Sequence, residues 1–285
     1  MSARPPTPTV LVLGATSLIG GYLERALADA GVAYTQVSRQ PPPLDLCWLR
    51  ADLNDPDLAD KLPPTHLVYS LSPIWLLPDA LPALRAAGMK RLVAFSSTSV
   101  FTKAASPEAS ERDVADRLAQ AEAAVTAFCE ANGAAWTILR PTLIFDEGRD
   151  GNVSRLAALI RRFGVLPVSG RGEGLRQPVH ARDLAQGALA AAAAKAAWNK
   201  AYDLPGGETL TYREMAGRIF DSLNKPRFIV SLPPWLWRLA FAVARPLLPG
   251  ATAAMGNRME TDLTFDGGPA ARDFGWAPRG FDPKF

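Results

Sequence analysis

Two spacings of apolar residues take turns through the first half of the chain. "TVLVLG" (9–14) is a nearly unbroken apolar run, as a strand buried on both faces requires. "LIGGYLERALADA" (18–30) then puts Leu23, Ala26, Leu27 and Ala30 on one helical stripe, with Gly31 placed to close the helix. Strand-like runs recur at 32–39, 44–53, 65–72, 90–97 and 134–141, and helix-like stretches fall at about 78–88 and 111–132. Alternation of this kind predicts an α/β fold, a doubly wound parallel sheet with helices on both faces. Farther on, 152–163 reads as a helix, 174–198 as an extended segment followed by an Ala-rich helix, 200–206 as a strand and 211–223 as a helix.

The first strand–helix junction carries candidate chemistry. Gly14, Ser17 and Gly20 occupy the three positions of a G-x-x-G-x-x-G turn, with the middle glycine substituted. Gly14 permits a tight exit from the strand, and Gly20 lets the helix lie close to the sheet. The backbone N–H groups of Thr16, Ser17, Leu18, Ile19 and Gly20 can then face a pyrophosphate, with the helix dipole favouring the anion. The next strand ends in Ser38 and Arg39, where an acidic residue would grip a ribose diol. A guanidinium there suits a 2′-phosphate instead, which favours NADP over NAD. Asp52, just past a later strand end, can accept from an adenine amino group or cap a following turn.

"AFSSTSVF" (94–101) ends an apolar run in four consecutive hydroxyls, Ser96, Ser97, Thr98 and Ser99. Taken in order, "GATSLIGG", "ADL", "SLSP", "FSSTSVF", "LRPTLIFDEGRD" and "RQPVHARDLA" resemble the extended short-chain dehydrogenases/reductases of the NAD-dependent epimerase/dehydratase type. The resemblance covers about 9–204 and returns in the tail, 262–281. It implies a Rossmann-like doubly wound sheet, 9–145 with 177–204, and a small C-terminal substrate-binding subdomain, 146–176 with 205–285, behind a tail of residues 1–8. It also implies that Asp52 and Leu53 meet the adenine, Leu71 and Ser72 the ribose side, and Pro141 and Thr142 the nicotinamide. Ser97, or its neighbour Thr98, falls where the family's catalytic hydroxyl holds the reacting oxygen.

The family's Tyr-x-x-x-Lys pair has no counterpart. Val114 and Leu118 stand at the matching positions, and none of the tyrosines at 22, 34, 69, 202 and 212 has a lysine four residues later. Three readings follow. Asp113, Asp116 or Arg117 moves the proton; a hydroxyl and a positioned hydride donor suffice; or the chain binds dinucleotide without turnover, as a sensor or scaffold. Arg149, Asn152, Arg171 and Arg176 lie on Gly-rich loops that converge beyond the strand ends. They suit an anionic substrate, which by resemblance is a nucleotide sugar, or else they are solvated loop charges.

Composition narrows the alternatives. In 285 residues the net charge is +3 and the basic residues form no dense block, which suits a small anionic ligand and not nucleic acid. Cys47 and Cys129 match no metal-ligand spacing and read as free thiols. The Pro-rich start, followed by a Gly-broken apolar stretch, is a poor export signal, so a cytoplasmic location is expected. Residues 233–249, "PPWLWRLAFAVARPLLP", are too short to span a bilayer; they read as a helix packed in the small subdomain or as a surface-docking helix. Both histidines, His66 and His180, read as structural.

Overall fold

The computed structural model describes residues 9–41, 47–233, 235–237, 239, 256 and 258–285. Strands β1 (Thr9–Leu13), β2 (Tyr34–Ser38), β3 (Trp48–Arg50), β4 (Thr65–Ser70), β5 (Arg91–Phe95) and β6 (Ala135–Pro141) belong to a seven-stranded sheet. Four short strands follow, β7 (Ile144–Phe145), β8 (Leu166–Ser169), β9 (Leu175–Arg176) and β10 (Val179–His180), before β11 (Lys200–Leu204) completes it. The order is β11-β6-β5-β4-β1-β2-β3 with every pairing parallel. The chain steps outward from β1 to β3, then returns to the other side of β1 as β4. That reversal leaves a crevice beyond the carboxyl ends of β1 and β4.

Both faces of the sheet are covered, which is why β1 is apolar throughout. Leu11 and Leu13 join one core with helices α3 (Leu77–Ala86) and α5 (Ala109–Ala131). Val10 and Val12 join the other with α1 (Gly20–Asp29) and α7 (Ala181–Ala193). The alanines that make 174–198 look low in complexity are the contact surface of α7: Ala185, Ala188 and Ala191 are buried. Their small side chains bring α7 close enough for Arg91, on β5, to donate to the Ala191 carbonyl at 2.9 Å.

A third core lies beside the sheet. It gathers α6 (Val153–Phe163), α8 (Tyr212–Ser222) and the parallel pair β8 with β13 (Ile229–Leu232) around Ile160, Val168, Met215, Phe220 and Phe281. Glu111 on α5 reaches across to it, accepting from Arg258 at 2.8 Å.

Element boundaries differ from the periodicity at the ends. The first helix stops at Asp29, leaving Ala30 exposed at its cap, and Gly31 closes it at φ +64°. The run 44–53 shrinks to the three residues of β3, with 42–46 outside the described residues. The two-residue strands β7, β9 and β10 have no hydrophobic period to announce them. Of the stretch 233–249, residues 234, 238 and 240–249 lie outside the described residues, while 235–237 and 239 are helical. Among the described residues no helix is long and apolar enough to cross a membrane.

Candidate functional site

The Gly-rich turn sits at the crevice, and its two glycines are sterically required. Gly14 has φ +69°, and a Cβ there would lie 2.6 Å from the Ser72 amide nitrogen, at the end of β4. A Cβ on Gly20 would lie 1.8 Å from the Ala15 carbonyl oxygen. The turn is braced by Ser17 N–H to Gly14 O at 3.0 Å and Gly20 N–H to Ser17 O at 3.1 Å. The hydroxyls of Ser17 and Ser72 are buried and have no hydrogen-bond partner. Buried polar atoms are rarely left so, and an acceptor-rich group such as a phosphate or ribose would satisfy both. Thr16 is exposed, Leu18 half-buried and Ile19 buried at the helix start.

Along the adjoining rim, Arg39 is exposed, and the Ser38 hydroxyl accepts from the Gln40 amide at 3.2 Å. Arg50, also exposed, lies beside Ser38 in the β2–β3 register. Two guanidinium-bearing residues therefore flank this strand end. Asp52 caps the Asn54 amide at 3.1 Å with one carboxylate oxygen, leaving the other free of that turn. Leu53 and Leu71 are buried.

The four hydroxyls beyond β5 are not equivalent. Ser96 donates to Glu122 at 2.5 Å. Buried Thr98 donates to the Pro141 carbonyl at 3.1 Å. Ser97 instead accepts, from the Ser99 amide at 3.1 Å, so its own hydrogen remains to be donated. Thr142 donates to the Gln177 carbonyl at 2.5 Å and, with buried Pro141, joins β6 to the crevice floor.

Glu122, buried on α5, is gripped by Arg140 of β6, whose Nε lies 3.0 and 3.1 Å from the two carboxylate oxygens. Asp203 of β11 stands on the other side of Arg140, its buried Oδ1 in an ion pair at 3.7 Å and without a hydrogen-bond partner. Burial raises the Asp203 pKa against the opposing pull of Arg140. Val114, Leu118 and Glu122 follow one another at four-residue spacing and so share one face of α5, directed at the end of β5. Leu118 is buried there and Val114 packs against the same core. Asp113, Asp116 and Arg117 are exposed, with Arg117 lying over the Trp75 ring at 4.4 Å.

Residues 78–204, which contain Ser97, Glu122 and Arg140, match the model of the NAD dependent epimerase/dehydratase family. The chain is 28% identical to 2-alkyl-3-oxoalkanoate reductase of Stenotrophomonas maltophilia, over 95% of this chain and 94% of that protein. It is 29% identical to uncharacterized protein y4nG of Sinorhizobium fredii over 68% of this chain, but spans only 50% of that protein's length. Among solved structures, MoeE5 in complex with UDP-glucose and NAD superposes with a TM-score of 0.74 at 20% identity, covering 96% of this chain and 94% of that one. UDP-glucuronic acid 4-epimerase from Bacillus cereus, in complex with UDP-glucuronic acid and NAD, gives 0.72 at 16% identity, covering 95% and 94%. At these identities the structural likeness is one of fold.

Three of the four loop residues read as substrate contacts have side chains engaged within the protein. Arg149 is paired with Asp146 at 2.9 Å. Exposed Asn152 precedes α6, its amide donating to Asp150 at 2.7 Å. Arg171 is exposed and paired with Glu173 at 2.9 Å. Arg176 is buried and donates to the carbonyls of Leu175 at 2.6 Å, Thr261 at 2.8 Å and Arg258, so its guanidinium serves the subdomain's own backbone.

A second polar cluster escaped the sequence reading. Tyr22 of α1 donates to Asp146 at 3.0 Å, and burial followed by that bond raises its phenol pKa. His180 accepts the Arg182 amide on Nδ1 at 2.9 Å, capping α7, so Nε2–H donates to Glu147 at 3.0 Å. Glu147 also accepts from the Lys284 amide at 3.2 Å. Asp146, Glu147 and His180 offer ligand atoms within 4.8 Å of one another. Here each of them is bound to protein, tying α1, β7, α7 and the C-terminal segment together beside an open cleft of about 550 Å³. The cue in the sequence was His180 at a strand end just before a helix, a capping position.

Proposed function

We propose that the chain is an NAD(P)-dependent oxidoreductase acting on an anionic carbonyl compound or the matching alcohol, with Ser97 holding the reacting oxygen. The Gly14–Gly20 turn carries this reading: it approaches the β4 end too closely for any side chain and leaves the Ser17 and Ser72 hydroxyls without partners. Those two hydroxyls would hold the pyrophosphate and ribose side of the coenzyme, and Pro141 and Thr142 would line its nicotinamide. A coenzyme held there would supply hydride chemistry at the carbonyl carbon. Ser97, whose Oγ already accepts from the Ser99 amide, directs its hydrogen to the carbonyl oxygen and stabilises the charge that develops there. The proton finally gained by that oxygen passes through Ser97 and is replaced from solvent, because Val114 and Leu118 offer none. Thr98 supports the site from behind through the Pro141 carbonyl.

Two chemistries among the similar proteins are candidates for the substrate. The neighbouring structures hold UDP-sugars, while the curated relative is named for a 3-oxoalkanoate. The engaged state of Arg149 and Arg176 supports a 3-oxo acid over a sugar diphosphate. Oxidation of reduced coenzyme by 2-alkyl-3-oxo acids, with neither reduction of oxidised coenzyme nor epimerisation when UDP-glucose or UDP-glucuronic acid is supplied, is the expected result. The reverse pattern would overturn the substrate choice.

Ser97→Ala should lower turnover roughly 10²- to 10³-fold with coenzyme affinity unchanged, the loss typical of one donor to a developing oxyanion. Thr98→Val should instead cost about 1–3 kcal/mol of stability, because the Pro141 carbonyl loses a buried donor. Steady-state kinetics with urea denaturation separates the two. Arg39→Glu should weaken NADPH roughly 10- to 100-fold and leave NADH within a few-fold, since a charged hydrogen bond to a phosphate is worth about 1.5–3 kcal/mol. Calorimetric titration with both coenzymes checks it.

The second reading, dinucleotide binding without turnover, is favoured by one observation, the apolar pair at 114 and 118. Tight coenzyme binding with no oxidation of bound NADPH by any carbonyl compound would establish it.

A further inference from the structure

Three large apolar side chains are exposed where α6 ends and β13 begins: Phe163 (55%), Phe228 (62%) and Val230 (41%). The fold explains why they coincide. The Leu166 amide donates to the Phe228 carbonyl at 2.9 Å, which sets the end of α6 and the start of β13 side by side. Along the β8–β13 pair, Leu166 and Val168 face the third core, so Pro167 and Val230 fall on the outer face, where both are exposed. Trp237 packs inward against that core. Trp235 (67%) and Leu239 (58%), two residues to either side of it on the helix, are exposed beyond the other end of β13 and stand apart from this patch.

Three cations stand beside Phe163 and Phe228, without an acidic partner among the described residues. Arg161, Arg162 and Lys225 stand at the edge of the patch, the Lys225 ammonium donating to the Arg161 carbonyl at 3.3 Å. Arg162 lies over the Phe163 ring at 5.2 Å. Among the described residues none of the three is in an ion pair. The nearest acid in sequence, Asp221, is taken by Arg227. Aromatic and aliphatic side chains beside unpaired cations match an anionic lipid surface, where Phe enters the headgroup boundary and Arg and Lys meet the phosphates. The bland account of Arg161 and Arg162 is the dipole at the end of α6. It explains neither Lys225 nor the apolar side chains.

We infer that Phe163, Phe228 and Val230, with Arg161, Arg162 and Lys225, form a docking surface for an anionic lipid bilayer. This inference goes beyond the proposed chemistry and holds whether or not the crevice takes a coenzyme.

The test is co-sedimentation of the full chain with vesicles of phosphatidylcholine alone and of phosphatidylcholine with phosphatidylglycerol. Binding to the anionic vesicles, weakened by salt, is the expected result. Phe163→Ser with Phe228→Ser should lower partitioning at least about tenfold. Arg161→Gln with Arg162→Gln should lower it roughly fivefold per charge on anionic vesicles and leave zwitterionic vesicles unaffected. Val32→Ser, at an exposed apolar site on the loop after α1, should change nothing. Circular dichroism and coenzyme titration of every variant report folding and the crevice separately. Failure of the folded chain to bind either vesicle would overturn the inference, as would binding indifferent to both double variants. A dimer seen by light scattering that Phe228→Ser dissociates, without vesicle uptake, would assign the patch to a second copy and overturn it too.

Discussion

Gly20→Ala is expected to abolish coenzyme binding, with an affinity loss of more than about 100-fold. Its methyl group would lie 1.8 Å from the Ala15 carbonyl oxygen and 2.5 Å from the carbonyl carbon, both backbone atoms that cannot rotate aside. The start of α1 must then move off the turn, and the amides that would face the pyrophosphate move with it. Gly14→Ala should be comparable: its Cβ would lie 2.6 Å from the Ser72 nitrogen, and φ +69° costs a side chain about 1–2 kcal/mol more. Because Leu23 and Leu27 still anchor α1 in the core, the loss of folding stability should stay near the 1–3 kcal/mol of a local overpacking. Gly21→Ala is the control. Nothing lies within 4 Å of its added carbon, and alanine in a helix gains about 1 kcal/mol over glycine. Calorimetric titration of the three variants decides the matter. Binding by Gly20→Ala within a few-fold of the parent would show that this turn does not hold the coenzyme.

Glu122→Ala should destabilise the fold by about 3–5 kcal/mol, the range seen when one partner of a buried ion pair is removed. The Arg140 guanidinium would keep only Asp203, 3.7 Å away, and the Ser96 hydroxyl would lose its acceptor as well. Glu122→Gln keeps an acceptor for both and should lose less, about 1–3 kcal/mol. Urea denaturation of the two variants gives the ordering. The pair also fixes α5 against β6, and Ser97 sits between those elements, so turnover should fall in Glu122→Ala more than coenzyme affinity does. A Glu122→Ala protein within 1 kcal/mol of the parent would mean that the contact is open to water.

The two expectations differ in how early they can be read. The turn is visible in the sequence because its parts are contiguous: an apolar run, glycines six residues apart, and a helical stripe. Only local sterics are needed to interpret them. The contrast at Glu122 is complete. On sequence it is one more acid on a helix, and its partners Ser96 and Arg140 are 26 and 18 residues away. The spacing of Val114, Leu118 and Glu122 defines a face of α5, but not what the face meets.

The hydroxyls and arginines show the same divide. "SSTS" announces a strand end rich in donors, yet which hydroxyl is free depends on where Pro141, Ser99 and Glu122 come to lie. Arg176 reads as a cleft cation, and the packed subdomain gives it backbone carbonyls instead. His180 reads as structural, and it is found capping α7.

By itself the sequence determined the parallel α/β architecture, the place of the Gly14–Gly20 turn and the lack of a Tyr-x-x-x-Lys pair. Each of these is written in contiguous residues or in their period along one element. Tertiary structure alone decided the distant partners of the buried charges and hydroxyls, such as Glu122 with Arg140, and the meeting of Phe163 with Phe228. Hydrogen bonds and ion pairs are satisfied by whatever packing brings within about 3 Å, and that distance is set by elements far apart in the chain.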